Sequence, residues 1–320
     1  MANLTEIIAP AFYAVHRDIV ARDAGRTPAQ LPPTAARRDA TRATGHAHYW
    51  LKGGRGSTKS SFVSAEIPLG IMKHPDANAV VIRKVGLYLK DSVYEQLLWA
   101  IERLGVSHLW AAKLSPLELV YTPTGQRIIF RGADKPKKLK STKVRKGYIR
   151  YVWYEEADEF AGEEEIRTIN QSLLRGGEDF TVFYTYNPPK SQRNWINAAV
   201  TVPAEDKLVH HSDYRSVPPE WLGEQFFLEA EHLRLTNPTA YEHEYLGKVT
   251  GTGGEVFANL TVRTISPEER QGFSHIRRGL DWGYAAAPTA YVVCALERRR
   301  LYIFGEIYRY GVKFDPLGTR

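Results

Sequence analysis

The sequence has almost no cysteine: one residue, Cys294, in 320. A single thiol excludes an internal disulfide and any cysteine-rich zinc site. Long apolar runs are also missing, and no stretch approaches the ~20 uninterrupted apolar residues of a membrane-crossing helix. The opening segment MANLTEIIAPAFYAVHRD is too broken by charge for a secretory signal. No internal repeat is visible. These absences imply an intracellular protein with no membrane partner.

What is present is the composition of a folded globule. Hydrophobic residues make up 43% and charged residues 25% of the chain, enough apolar surface to bury a substantial core. The formal net charge of +7 points to a polyanionic partner, and its distribution says more than its size. Nine basic residues, Arg131, Lys135, Lys137, Lys138, Lys140, Lys143, Arg145, Lys146 and Arg150, are opposed locally only by Asp134. Directly after them come Glu155, Glu156, Asp158, Glu159, Glu163, Glu164 and Glu165.

Residues 1–45 read as a short apolar-periodic stretch followed by an extended arm or linker rich in Pro, Ala, Thr and Arg. Beyond it, HYWL (48–51), NAVVIRK (78–84), YIRYVWYEEA (148–157) and DFTVFYTYNPP (179–189) read as strands. LELVYTP (117–123) and QRIIFRG (126–132) read as a hairpin. SSFVSAEIPLGIMKH (60–74), LYLKDSVYEQLLWAIERLG (87–105) and EEIRTINQSLLRGG (164–177) read as helices. Strands apolar on both faces, alternating with helices, predict an α/β architecture: a mainly parallel sheet with helices on both faces. Residues 190–250 read as mostly polar and helical. Glycine-rich GKVTGTGGEVF (247–257) marks a boundary, and a second strand pattern starts at HIRRGLDWGY (275–284) and runs through TAYVVCALERRRLYIFGEIY (289–308) as two strands joined at ERRR.

The segment LKGGRGSTKSSF (51–62) lies where a strand gives way to a helix. It follows the phosphate-cradling pattern G-x-x-x-x-G-K-[ST] through Gly53, Gly54, Arg55, Gly56, Ser57, Lys59 and Ser60, and departs from it at Thr58, where the second glycine is expected. Glycines let successive N–H groups turn toward phosphate oxygens, and the following helix N-terminus adds a favourable dipole. Lys59 supplies a point charge for the β and γ phosphates of ATP, Ser60 a hydroxyl for Mg²⁺, and Arg55 a cation for the departing γ-phosphate. Thr58 fits if its backbone keeps a negative φ or tolerates strain. The competing reading is a flexible glycine turn that happens to contain a lysine, which the flanking strand and helix disfavour.

A phosphate loop needs a carboxylate across from it, at the tip of a neighbouring buried strand. YVWYEEADEF (151–160) supplies four apolar residues and then Glu155 and Glu156. Glu155 is expected to hold Mg²⁺ and Glu156 to polarise the attacking water. An acidic helix start would account for Asp158 and Glu159, but less well for a pair directly behind a buried strand. FYTYNPPK (183–190) brings Thr185 and Asn187 to a third strand tip, where polar groups can touch the γ-phosphate or its water.

These pieces, in this order, resemble the large terminase subunits of tailed phages, in the branch found in defective Bacillus prophages. HYWLKGGRGSTKSSF is similar to that family's variant phosphate loop, RGADKPKKLKS (131–141) to its basic segment, VWYEEADEF to its Walker B strand, YTYNPP to its coupling motif, YEHEYLGKVTGTGGEVF (241–257) to its bridge and GLDWGY with AAPTA (279–290) to the start of its nuclease. The likeness spans roughly residues 46–310. It implies a P-loop NTPase of the RecA/ASCE kind followed by an RNase H-like nuclease. The expected organisation is an arm at 1–45, an ATPase domain at 46–246, a linker at 247–272 and the first strands of a nuclease at 273–320.

The resemblance implies an ATP-driven motor that moves double-stranded DNA into a procapsid. Its implied partners are DNA, a small terminase subunit, the portal protein and further copies in a ring, all in the cytoplasm of an infected bacterium. The basic segment is implied to contact DNA or to contribute to a lid or a neighbouring copy's site. Asp281 is the implied first ligand of a nuclease metal pair, Mg²⁺ or Mn²⁺. Glu306 and Asp315 are weak candidates for further ligands, and the expected second and third carboxylates lie beyond Arg320, so little nuclease activity is expected of this chain. A helicase would carry a second RecA-like core, which is not visible, and a small-molecule kinase would lack the basic segment. The remaining alternative is a degenerate prophage remnant that binds DNA or a partner without turnover.

Overall fold

The computed structural model describes residues 3–25, 45–135, 139, 142–251, 261–282 and 289–309. Lys137, Lys138, Lys140, Asp315 and most of the glycine-rich bridge lie outside the described residues. The chain divides into two units, Met1–Glu255 and Val256–Arg320.

In chain order the first unit contains α1 (Tyr13–Gly25), β1 (His48–Gly53), α2 (Lys59–Lys73), β2 (Ala77–Arg83), α3 (Glu95–Arg103), β3 (Trp110–Leu114), β4 (Leu117–Tyr121), β5 (Gln126–Gly132) and β6 (Tyr148–Glu155). There follow α4 (Glu163–Leu173), β7 (Thr181–Tyr186), α5 (Trp195–Ala199), β8 (Lys207–Ser212), α6 (Pro219–Leu222), α7 (Glu224–Thr236) and α8 (Pro238–Glu244). The eight strands form one sheet in the order β3-β4-β5-β2-β6-β7-β1-β8. Neighbours from β5 to β8 pair in parallel, while β3, β4 and β5 form an antiparallel edge.

The doubly apolar strands explain the layering. Successive side chains of a strand point to opposite faces. Tyr49, Leu51, Ala79, Val81, Tyr151, Trp153 and Phe183 therefore enter one core, with α2 and α3. Trp50, Val80, Ile82, Val152, Tyr154, Val182 and Tyr184 enter the other, with α4 and α5. Burial on both faces is what requires helices on both sides.

Three expectations need correction. Residues 4–25 are not an arm: Ile7, Ile8, Phe12, Val15 and Ile19 join the first core, while 26–44 lie outside the described residues. The helix expected at 87–105 is broken into a 3-10 turn (Gly86–Leu89), a π turn (Lys90–Tyr94) and α3. The widened turn shifts the periodic face, with Val93 and Tyr94 buried in it, whereas Leu87 in the preceding 3-10 turn is 80% exposed. Segment 190–250 is not simply helical, because β8 adds an edge strand beside β1. Its sequence, KLVHHS, has too little apolar character to announce a strand.

Helix α1 is clamped by a buried ion cluster. Asp23 lies 2.8 Å from Arg150, 2.9 Å from Lys73 and 3.0 Å from His74. Burial alone would raise the Asp23 carboxyl, but the His74 and Lys73 hydrogen bonds, with Arg150 beside them, outweigh it and hold the group well below the usual carboxylate range. A depressed carboxylate stabilises the fold above its ordinary pKa and loses that contribution as pH falls. Asp23→Asn is expected to cost about 3–5 kcal/mol near neutrality, the usual effect of removing one partner of a buried pair. The difference from wild type should shrink on acidification below the ordinary carboxylate range, as read by denaturant unfolding at a series of pH values.

The second unit contains α9 (Pro267–Gln271), β9 (Ile276–Asp281), β10 (Thr289–Glu297) and β11 (Arg300–Arg309). Its three strands form an antiparallel sheet in the order β11-β10-β9, with the two later strands turning near ERRR as expected. The expected linker at 247–272 does not stay together. Gly251 remains in the first unit, its N–H donating to the Lys190 carbonyl at 2.9 Å, whereas α9 belongs to the second. Among the described residues no helix is long and apolar enough to cross a membrane.

Candidate functional site

Strand order brings three segments to one end of the sheet. Strand β7 lies between β1 and β6, with Leu51 and Glu155 both in register with Thr185. Past that row the chain leaves β1 into the glycine loop, β6 into Glu156 and β7 into Asn187. Together they surround a cavity of about 220 Å³ lined by residues 54–61, Glu155, Glu156, Thr185, Tyr186 and Asn187. Lys59 and the Glu155-Glu156 couple thus face the same space.

The loop is held by contacts that leave no room for side chains. A Cβ on Gly53 would meet the Ser212 carbonyl oxygen at 1.9 Å, and one on Gly54 would meet that of Tyr245 at 1.9 Å. These glycines are required by close approach of β8 and of the chain after α8. Thr58 stands at φ 60° and ψ 21°, so of the two ways the sequence leaves open for it, the strained one is realised. The residue keeps the left-handed backbone that a glycine would adopt freely, at a cost of roughly 1–2 kcal/mol for an L residue. Thr58→Gly removes that strain but adds unfolded-state entropy. It is expected to raise stability by about 0.5–1 kcal/mol, measurable by thermal unfolding. A loss of stability would show that the threonine hydroxyl matters more than the backbone.

Lys59 opens α2 and is only 8% exposed. Its ammonium donates to the Gly53 and Gly54 carbonyls, each at 3.2 Å, to Ser57 Oγ at 2.9 Å and to Asn187 Oδ1 at 2.9 Å. Ser57 in turn donates to the Gly54 carbonyl at 2.7 Å, so the loop is shaped before any ligand enters. Burial pushes the Lys59 ammonium down to about 8, against the attraction of Glu156, Glu155 and Asp158.

The carboxylates opposite are desolvated. Burial, reinforced by Glu156, lifts Glu155 to about 7. Burial also raises Glu156, and burial with the Glu156 charge lifts Asp158 to about 6. Glu156 itself has φ 51°, a second left-handed non-glycine residue at the same cavity. Strain of this kind persists only where the surroundings impose it.

The donors fit a divalent cation. Glu155 Oε2 is buried without a hydrogen-bond partner among the described residues, and Ser60 lines the same cavity. No group of three or more His, Cys, Asp or Glu side chains suited to a metal occurs among the described residues. One carboxylate and one hydroxyl are what a magnesium site uses when phosphate oxygens and waters fill its other positions.

The remaining sequence candidates are placed less directly. Arg55 lines the cavity, but its guanidinium is largely exposed and lies 3.8 Å from Glu244 of α8. The Thr185 hydroxyl is not free for a phosphate: it accepts from Trp153 Nε1 at 2.8 Å and donates to the Tyr154 carbonyl at 3.4 Å. Asn187, not Thr185, is the polar contact of that strand tip. The sequence reading missed Arg83, the last residue of β2, whose Nε lies 3.0 Å from Glu155 Oε2. Its one signal was a cation at the end of an apolar strand.

The basic segment is partly built into the fold. Arg150 is 6% exposed and committed to Asp23, and Arg131 donates to the Phe130 carbonyl. Lys135, Lys143, Arg145 and Lys146 are exposed. In the second unit Asp281 lies exposed on β9 opposite Ala290, and Glu306 on β11 opposite Val292.

Residues 45–248 match the family described as phage terminase large subunit. The chain belongs to this family. Among curated relatives, the terminase large subunit of Bacillus phage SPP1 is 41% identical over 277 residues, covering 83% of this chain and 65% of that one. The PBSX phage terminase large subunit of Bacillus subtilis strain 168 is 27% identical over 289 residues, covering 82% of this chain and 64% of its own length. This terminase chain thus spans about two thirds of the length of those relatives. The large terminase of the thermophilic bacteriophage D6E, solved in complex with ADP, shares the fold at a TM-score of 0.53 and 13% identity, covering 94% of this chain and 68% of that one.

Proposed function

We propose that this terminase chain hydrolyses ATP to drive double-stranded DNA into a procapsid. The observation that carries the reading is the opposition of Lys59 to Glu155 and Glu156 across one cavity at three adjacent strand tips. The ADP bound to the D6E relative supports a nucleotide as its occupant.

In this reading the N–H groups of residues 53–58 and the Lys59 ammonium receive the β and γ phosphates. Asn187 holds that ammonium in place through its 2.9 Å contact. Ser60 and Glu155 hold Mg²⁺, which when bound neutralises developing phosphate charge. Glu156 orients the attacking water and takes its proton, a role helped by the burial that makes its carboxylate more basic. Arg55 leaves Glu244 to reach the γ-phosphate. The exposed cations at 135–146 meet DNA phosphates, so affinity for duplex DNA falls steeply with salt. A small terminase subunit, the portal and further copies in a ring are the working partners, in the host cytoplasm. Steady-state ATP turnover with Mg²⁺, compared between this chain and Lys59→Ala, tests the reading, and equal rates overturn it.

Asp281 is assigned as a metal ligand of a nuclease in the second unit. No group of three or more His, Cys, Asp or Glu side chains forms around it among the described residues. The chain is therefore expected to show no Asp281-dependent cutting of plasmid with Mn²⁺, and cutting abolished by Asp281→Ala would refute that.

A further inference from the structure

We propose that Arg83 is a positioning residue that serves as the counterion of Glu155 before nucleotide binds and releases it to the nucleotide-bound divalent cation. The inference rests on the nucleotide reading of the cavity and adds a residue which that reading does not use.

The observation is an imperfect pair. Arg83 Nε and Glu155 Oε2 are 3.0 Å apart, yet both atoms are buried and neither makes a hydrogen bond among the described residues. The two charges attract, but the N–H does not point along the contact. Such a pair loses no directional bond when the carboxylate takes another cation. Arg83 also has places to go. Its guanidinium lies 3.7 Å from Glu159, donates to Ser92 Oγ at 3.3 Å and sits 5.5 Å from the centre of the Tyr88 ring. The whole side chain is 13% exposed, so water does not compete strongly for it. Among the described residues, Arg83 and Lys59 are the cations that act on Glu155 and Glu156, and Arg83 also lies beside Glu159. Lys59 is committed to the loop and Asn187, so Arg83 is the one able to exchange.

The decisive quantity is the ratio of nucleotide affinity with Mg²⁺ to that with EDTA, measured with fluorescent ADP. Arg83→Gln removes a competitor for Glu155 and is expected to raise this ratio by ~10-fold or more, given the strength of charge interactions at a few ångströms in a partly buried site. An arginine that only props the fold would change both affinities alike and leave the ratio where it was, which overturns the proposal. A wild-type chain that binds no ADP in either condition would instead sink the nucleotide reading itself. A second measurement does not depend on the Gln variant folding. In wild type labelled with ¹⁵N-arginine, the Arg83 Nε–H signal, assigned by its loss in Arg83→Lys, should move with Mg²⁺·ADP and stay still with ADP in EDTA. A signal indifferent to the metal refutes the exchange.

Discussion

Lys59→Ala is expected to lower ATP turnover by ~100-fold or more, the scale of losing one preorganised electrostatic group at a reacting centre. The ammonium is desolvated and fixed by four acceptors, so little reorganisation separates it from the geometry in which it meets phosphate. Folding should survive. The substitution removes a buried charge, which is costly to desolvate, and the loop keeps its own Ser57 to Gly54 bond. Far-UV circular dichroism and thermal unfolding check that point. The same comparison separates a working motor from a remnant that binds without turnover, because a remnant gives equal rates in both chains.

Much of this site was legible in the sequence because its signals are local. A glycine loop between a strand and a helix, a carboxylate pair behind four apolar residues and an asparagine before two prolines each lie within a few residues of one another. Apolar character on both faces of β2, β6 and β7 also announced a sheet covered twice. The misses are contacts between distant segments. Nothing near Arg83 in the chain says that β2 will lie beside β6, and nothing in KLVHHS says that β8 will close against Gly53. Helix α1 was misread for the same reason. Its apolar residues are few, and part of its hold on the fold comes from Asp23 meeting Arg150, 127 positions away. Thr58 shows the opposite case. The pattern flagged the position correctly, and only the backbone angle showed that strain, not an altered loop, accommodates the threonine.

Glu156→Gln should reduce the catalytic rate by about 100- to 10,000-fold, the range for removing a positioned general base, while leaving nucleotide affinity equal or tighter. The substitution is well suited to its question. Glutamine and glutamate differ little in how they tolerate the left-handed backbone at φ 51°, so the comparison isolates the charge. Losing a negative group beside a polyphosphate removes repulsion and favours binding. The effect should therefore appear in kcat, with KM unchanged or lower, as for an interaction made mainly in the transition state. Asp158 is the competing base. It is half-buried, is lifted to about 6 and has an oxygen without a hydrogen-bond partner among the described residues. Its place one residue beyond the neighbour of Glu156, in a 3-10 turn (Ala157–Glu159), sets it behind the strand tip, outside the residues that line the cavity. Asp158→Asn should accordingly change turnover by only a few-fold. If Asp158→Asn abolished hydrolysis while Glu156→Gln retained it, the base would have to be reassigned, although the opposition of Lys59 to Glu155 would stand.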